Sequence, residues 1–518
     1  MKINFKSFTY SILIALFVNV STFGQINLEE MDIQTLQQGY KTGKFTVSQV
    51  VEAYIKRIEE IDQSGPELNS VIMVNPDALT RAKELDILLK KNKKMGGMFG
   101  VPVLLKDNLD THDKMPTTAG SRALMNSFPL KDSKVAEQLR DANAIILGKT
   151  NLSEWANFRG QKSSSGWSGL GGQTKNPYVT DCNPCGSSAG SGVAVSANLS
   201  MVAIGTETNG SIVCPSSANG IVGIKPTVGL VSRSGVIPIS STQDTPGPMA
   251  KSVADAAICL NAITGYDAAD IKTVEAKGFI QKDYTKFLDK NGLKNKRIGL
   301  YMPPMGKLPE VDKLVYKAIE DLKSQGAEVV QISEIGESKV GEYSFEIMLY
   351  EYKAGLNDYF KSLGPNAPIK NLEELIAFNK SDSIELKYFN QRYLEMALEK
   401  EDLDSPKYKE VLANLLRGSR ENGLDKVMAE NKLDAIIAPT GGPAWKTNWE
   451  TGDTFHIGSS SPAARAGYPN ITVPMGFVGE LPVGLSFFGK AFSEPTLISI
   501  AYAYEQATKH RKVPKFLK

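Results

Sequence analysis

Between Phe99 and about Gly265, short β-rich apolar runs at residues 101–105, 144–147, 201–205 and 220–225 alternate with helical stretches such as residues 133–142. This alternation restricts the fold more than any other feature of the chain. A brief apolar run bounded by turn residues reads as a buried strand, and strands separated by helices collect into a sheet with helices on its faces. The expected class is α/β: a single large domain on a mixed, mostly parallel, twisted sheet covered by helices on both faces. Glycine and serine are dense between Ser163 and Gly223, which puts much of that backbone in tight loops.

The rest of the chain is organised around this core, residues 96–269. Residues 25–95 read as an N-terminal helical part, with Val47, Val50, Val51, Tyr54 and Ile55 at helical spacing. Residues 270–430 are more charged and rich in helix formers, at 371–378 and 405–423 for example. They are expected to form a helical insertion, a wall or cap over the site. Residues 431–518 return to the sheet at 433–438 and 470–473 and close with a helix over 493–509.

Residues 1–24 are read separately. Lys2 and Lys6 precede an unbroken apolar run at 12–18, and Thr22-Phe23-Gly24 places small residues before a possible cut. That is the layout of a signal peptide, with an apolar run too short to span a bilayer. The expectation is a secreted or periplasmic protein with no membrane anchor after leader removal. The chain has 59 basic and 57 acidic residues, so losing two lysines leaves 59 − 2 = 57 against 57. A balanced surface offers no electrostatic reason to bind nucleic acid, which points to a small-molecule or peptide substrate. The lysine run Lys90, Lys91, Lys93, Lys94 reads as a solvated loop.

Several chemistries can be set aside. Cys182-x-x-Cys185 lacks a second pair, and with only His112, His456 and His510 as histidines no metal is expected. Any disulfide among Cys182, Cys185, Cys214 and Cys259 is left open by the sequence. Gly148-Lys149-Thr150 ends like a phosphate loop, but Asn143 stands where its first glycine belongs, and Gly169-Leu170-Gly171-Gly172 completes no dinucleotide fingerprint. No cofactor is expected. Gly186-Ser187-Ser188-Ala189-Gly190 fits a nucleophile elbow on Ser188, yet that motif needs an apolar strand before it. Residues 179–185 are polar and broken by proline, and His456 or His510 would have to be the base.

Three residues remain as a constellation. Lys106 ends the strand Gly100-Val-Pro-Val-Leu-Leu105, Ser187 opens a helix of small residues, and Ser211 lies in a loop just after residues 201–204. Strand ends of open α/β sheets are where ligand sites gather. Spacing alone does not separate these residues from ordinary turns.

The stretch 100–253 resembles the amidase signature family. The pieces are Gly100-Val-Pro-Val-Leu-Leu-Lys-Asp-Asn108, Gly148-Lys-Thr-Asn-Leu-Ser-Glu-Trp155, Pro184-Cys-Gly-Ser-Ser-Ala-Gly-Ser191, Gly205-Thr-Glu-Thr-Asn-Gly-Ser-Ile212, Gly223-Ile-Lys-Pro-Thr227 and Asp244-Thr-Pro-Gly-Pro-Met249. Asp434-Ala-Ile-Ile-Ala-Pro-Thr440 and the segment ending at Gly484 extend the likeness, and Trp155-Ala-Asn-Phe-Arg159 looks like the bacterial peptide amidases. The separation 211 − 187 = 24 matches the family's two serines. The resemblance implies an amide hydrolase with Ser211 as nucleophile, Ser187 as proton relay and Lys106 as general base. It also implies an oxyanion hole from the backbone of Thr208, Asn209, Gly210 and Ser211. Asn209 departs from the pattern, since an aspartate is common there. Asp107 and Asn108 are candidates to orient Lys106, and Trp155, Arg159 and Trp167 are weaker candidates for substrate contact. Two other readings stay open: a component of an amidotransferase that works on charged tRNA, and a catalytically silent binding protein of the same fold.

Overall fold

The computed structural model describes residues 26–91 and 95–518, so the leader and the end of the lysine run at Lys93 and Lys94 lie outside the described residues. Strands form where apolar runs meet turn residues: β1 (Val71–Val74), β2 (Pro102–Lys106), β3 (Ile145–Thr150), β4 (Trp167–Ser168), β5 (Gly172–Gln173), β6 (Val202–Glu207), β7 (Val222–Lys225), β8 (Thr245–Ala250), β9 (Arg297–Tyr301), β10 (Glu328–Ile332), β11 (Ala435–Pro439), β12 (Asn470–Val478) and β13 (Leu481–Phe488). All but β4 and β5, which pair as a separate ribbon, join one sheet in the order β1-β3-β2-β6-β8-β7-β12-β13-β11-β9-β10. The sheet is mixed. Pairing is parallel within β3-β2-β6 and within β11-β9-β10. It is antiparallel across the centre and at the β1 edge.

Every residue of β2, β3, β6, β7, β8 and β11 is buried. That requires helices on both faces, which is why most of these strands, β8 excepted, read as largely apolar runs and not as alternating ones. Helices Ala189–Ser196 and Val213–Ala218 pack against the central strands and each other. Helices Val253–Ile263, Pro309–Ser324 and Glu494–Thr508 form a second packed group on the sheet. Among the described residues no helix is long and apolar enough to cross a membrane.

One expectation needs correction. Residues 270–430 are not purely helical, because β9 and β10 lie in them and extend the main sheet in parallel register, Ile298 beside Val329. The helix Pro309–Ser324 connects the two as a crossover. These strands sit at the edge of the sheet, and β10 is only partly buried, so charged and polar residues dilute their apolar signal. The later helices Val340–Ser362, Leu372–Ser381, Arg392–Leu398 and Pro406–Leu416 do form an all-helical layer with its own apolar clusters. β8 is also hidden in the sequence, because Pro246 and Pro248 lack N–H donors and read as a loop. It pairs with β6 along its whole length but with β7 only at Met249 and Ala250. The prolines therefore sit where β7 does not reach and no ladder bond is lost.

The helix Ala189–Ser196 shows why its residues are small. A side chain at Gly190 would run into the backbone of Ser70 and Asn151. Gly190→Ala is expected to destabilise the protein by about 1–3 kcal/mol through overpacking, read as a lowered urea midpoint. Gly278→Ala, where a methyl group meets nothing within 4 Å, is the control and should leave the midpoint nearly unchanged.

Candidate active site

The site begins with a lysine at the end of an apolar strand. β2 runs between β3 and β6, with Leu105 opposite Ile204 and Lys106 opposite Thr150, so its last side chain has no path to water. Lys106 is 0% exposed. Its Nζ donates to Ser187 Oγ at 2.7 Å, Thr206 Oγ1 at 2.8 Å and the Thr206 carbonyl at 3.1 Å, all uncharged oxygens. Burial lowers its pKa to about 7, opposed by the more distant carboxylates of Asp244 and Glu207.

Asp107, next in sequence, does not neutralise it. Its carboxylate faces Lys149 at 3.8 Å and accepts from Thr118. Asn108 does support the lysine indirectly, donating to Thr206 Oγ1 at 3.0 Å. Thr206 lies in the 205–212 motif, but nothing in the sequence assigns it a part in holding Lys106. Its hydroxyl is the shared acceptor that holds both side chains.

Two loops bring the serines in. Ser187 precedes the helix Ala189–Ser196, the Gly186–Ser187 peptide is cis, and its carbonyl accepts from the Ser153 N–H at 3.0 Å. Ser211 follows β6 in the turn before the helix Val213–Ala218 and is half-buried. Two bonds tie the loops together, and a third group closes the Ser211 turn. The Ser188 N–H donates to the Ser211 carbonyl at 3.1 Å. A disulfide joins Cys185 to Cys214 across a sequence separation of 29. The Glu207 carboxylate accepts from the N–H groups of Ile212 and Val213 at 2.8 and 3.0 Å, closing the turn around Ser211.

This turn presents donors. Gly210 has φ +84°, a left-handed conformation that suits glycine. Among the described residues the N–H groups of Asn209, Gly210 and Ser211 have no hydrogen-bond acceptor. Such unpaired backbone donors at a cavity wall are free for a ligand oxygen. Thr208 is held by its hydroxyl on Asp244 at 2.6 Å. Asp244 also accepts from Ile239 and Ser240, and burial raises its pKa to about 6. Asn209 accepts from Ser460 Oγ at 2.7 Å and donates to Ser461 Oγ at 3.2 Å. An ionised aspartate there could not donate, and the Ser461 hydroxyl would have to turn and become the donor.

The loops border a cavity of about 490 Å³, lined by Ser211, Gly186, residues 208–210, Phe158 and Met348 among others. Ser188 is turned away from it. Its hydroxyl donates to the Thr206 carbonyl at 3.1 Å and accepts from the Thr206 N–H at 3.2 Å. His456 borders the cavity, whereas His510 lies against the Tyr504 ring.

Trp155, Arg159 and Trp167, the weaker candidates for substrate contact, are not in the lining of this cavity. Trp155 is 2% exposed and packs edge-on against Phe360. Arg159 is buried between Glu154 at 2.6 Å and Glu385 at 3.4 Å, with its guanidinium over the Trp167 ring. Trp167 packs on Tyr388 and Phe389. Consecutive left-handed residues Trp155, Ala156 and Asn157 fold this segment. It is Ala156, Asn157 and Phe158 that line the cavity. Residue type points to Trp155 and Arg159, but the turn brings the residues between them to the cavity. Among the described residues no group of acidic, histidine or cysteine side chains could hold a metal ion.

Comparison with known proteins bears on this geometry. A family model described as Amidase matches residues 49–498. A protein described as a probable amidase of Arabidopsis thaliana is 41% identical over 97% of this chain and 96% of its own length. The crystal structure of native peptide amidase from Stenotrophomonas maltophilia is 48% identical with a TM-score of 0.91, covering 94% of this chain and 99% of that one. A glutamyl-tRNA(Gln) amidotransferase component of Microcystis aeruginosa is 32% identical over 93% of this chain and 99% of its own.

Non-reducing peptide mapping should recover a cross-linked fragment pair containing Cys185 and Cys214. Cys182 and Cys259 are buried with thiol pKa values pushed up to about 11 and about 12 by burial. They should alkylate only after denaturation. Cys185→Ser should cost about 3 kcal/mol of stability for a loop of this length, measured by denaturant unfolding.

Proposed function

This chain belongs to the amidase signature family of amide C–N hydrolases, and from that premise we propose that it is an exported serine amidase acting on peptide C-terminal amides or other linear amides through Lys106, Ser187 and Ser211. The observation that carries the reading is Lys106. It is a fully buried amine with a pKa near 7, hydrogen-bonded to Ser187 at 2.7 Å and to no carboxylate. A lysine can serve as a base only when uncharged, and burial without a counter-ion favours that form.

In the proposed mechanism Ser211 Oγ attacks the amide carbonyl while its proton passes to Ser187 Oγ, whose own proton moves to Lys106 Nζ. The carbonyl oxygen becomes an oxyanion facing the N–H groups of the 208–211 turn. Donors of this kind are each worth about 3 kcal/mol of barrier in other acyl-transfer sites. As the tetrahedral species collapses, the C–N bond breaks and the nitrogen takes a proton from Ser187, which Lys106 replaces. Without that proton the amine is a poor leaving group. Water then attacks the ester on Ser211 by the same relay and releases the acid.

The likeness to peptide amidase supports a peptide amide as substrate. The likeness to the tRNA amidotransferase component is weaker, and the balanced charge of the chain disfavours a nucleic-acid partner. Export is supported by the layout of residues 1–24 and by the Cys185–Cys214 disulfide, a bond that persists in oxidising compartments.

Purified protein lacking residues 1–24 should release ammonia from C-terminally amidated peptides. A broad panel of amides giving neither ammonia nor amine defeats the proposal. Because Lys106 must be neutral, kcat/KM should rise about tenfold per pH unit below its pKa and level off above it. That bend is expected at about pH 7. Lys106→Ala should abolish this limb and lower kcat/KM by at least about a thousandfold. A serine-directed fluorophosphonate should modify Ser211, and an adduct on Ser187 or Ser188 would overturn the assignment of roles.

A further inference from the structure

The cavity over Ser211 is chemically uneven. Phe158, Val213 and Ile239, with Met348 half-buried beside them, form an apolar part of its lining, and Ser165, Thr208 and Thr440 add buried hydroxyls. Its exposed lining carries Lys307 and His456, and no aspartate or glutamate borders it. Lys307 follows a turn at Gly306, where φ is +80°, just ahead of the helix Pro309–Ser324. Among the described residues its ammonium has no ion pair and no hydrogen bond, although Glu310 and Asp312 stand in the first turn of that helix.

Three acids near this lining have partners of their own, while Glu310 has none among the described residues. Asp312 accepts from the Gly306 N–H at 3.0 Å. Asp453 accepts from the N–H and hydroxyl of Ser165 at 2.9 and 2.6 Å. Glu346, on the same helix as Met348, pairs with Lys400 at 2.6 Å. A cation left without a partner beside a partly enclosed apolar cavity attracts whatever anion enters it.

Building on the amidase reading above, we propose that Lys307 selects amides whose acyl part bears a carboxylate remote from the scissile bond, with an apolar group between the two. A peptide amide with an acidic side chain one residue before an apolar C-terminal amide has this form. Phe158, Ile239 and Met348 receive the apolar side chain, and the carboxylate reaches the exposed rim where Lys307 stands. His456 adds a hydrogen-bonding imidazole to the same rim. Cationic substrates are disfavoured there, because no acid of the lining offsets Lys307.

The test compares N-acetyl dipeptide amides that end in phenylalaninamide and carry glutamate, glutamine or lysine before it. At low salt kcat/KM should favour the glutamate substrate over the glutamine one by roughly two- to fivefold, the range of an exposed ion pair. The lysine substrate should be the poorest. The preference should shrink in 0.5 M salt as the Debye length falls to about 4 Å. In Lys307→Gln the glutamate-to-glutamine ratio should fall to about one, and in Lys307→Glu the lysine substrate should become the best of the three. Equal rates for all three substrates in the unaltered protein, or a glutamate preference that survives in Lys307→Gln, would overturn the inference. A parallel arm uses N-acetyl-phenylalanyl-glycine, which places the carboxylate on the departing amine, and a stronger salt-sensitive preference there also overturns it. Ammonia from the glutamine substrate without acid preference defeats only this inference, whereas no ammonia from any of the amides defeats the amidase reading itself.

Discussion

A single amine taken out of water organises this molecule. Lys106 ends β2, a strand flanked on both sides and covered on both faces, and its Nζ meets three uncharged oxygens. Burying a charge without a partner is costly, and such a group sheds the charge by shifting its pKa. The fold keeps the nearest carboxylate in sequence, Asp107, turned toward Lys149. The adjacent ends of β2 and β3 therefore hold one lysine paired to an acid and one that meets neutral oxygens. This asymmetry is what the proposed chemistry requires, and it needs the whole sheet to maintain it.

Around that amine the structure is rigid where the proposed relay runs and more open where substrate would enter. The Ser187 and Ser211 loops are joined by a backbone hydrogen bond and the Cys185–Cys214 disulfide, and Glu207 closes the Ser211 turn. Positioned donors of this sort lower a barrier because they need no reorganisation during reaction. The cavity beyond is assembled from distant parts of the chain, including Phe158, Lys307, Met348 and Ser460. Contacts such as Asn209 to Ser460 and Ser461 bind the donor turn to the C-terminal third. The site is thus a junction of the sheet core, the helical layer and the returning chain.

The central strands are legible in the sequence because they are buried on both faces, so their apolar runs are unbroken. The expected runs at 101–105, 144–147 and 201–205 correspond closely to β2, β3 and β6. Strands lacking that signature are not legible: β8 is interrupted by prolines, while β9 and β10 stand at the sheet edge within a charged region. At the site, Lys106, Ser187 and Ser211 are marked by their motifs. Thr206, Glu207 and Asp244 lie within quoted motifs, but no motif marks what they hold, because a threonine or an acid has many structural uses. Trp155 and Arg159 stand out by type, yet a left-handed turn brings Ala156, Asn157 and Phe158 between them to the cavity.

By itself the sequence determined the fold class, the family and the short list of residues able to do chemistry, since periodicity and motif spacing are local properties of the chain. Only tertiary structure decided which lysine goes without a counter-ion, which serine hydroxyl meets it and which side chains wall the cavity. Those outcomes depend on distances between groups far apart in the chain, such as Lys106 and Ser187 or Thr206. Such distances are set by how strands are ordered in the sheet, and no local pattern encodes that order.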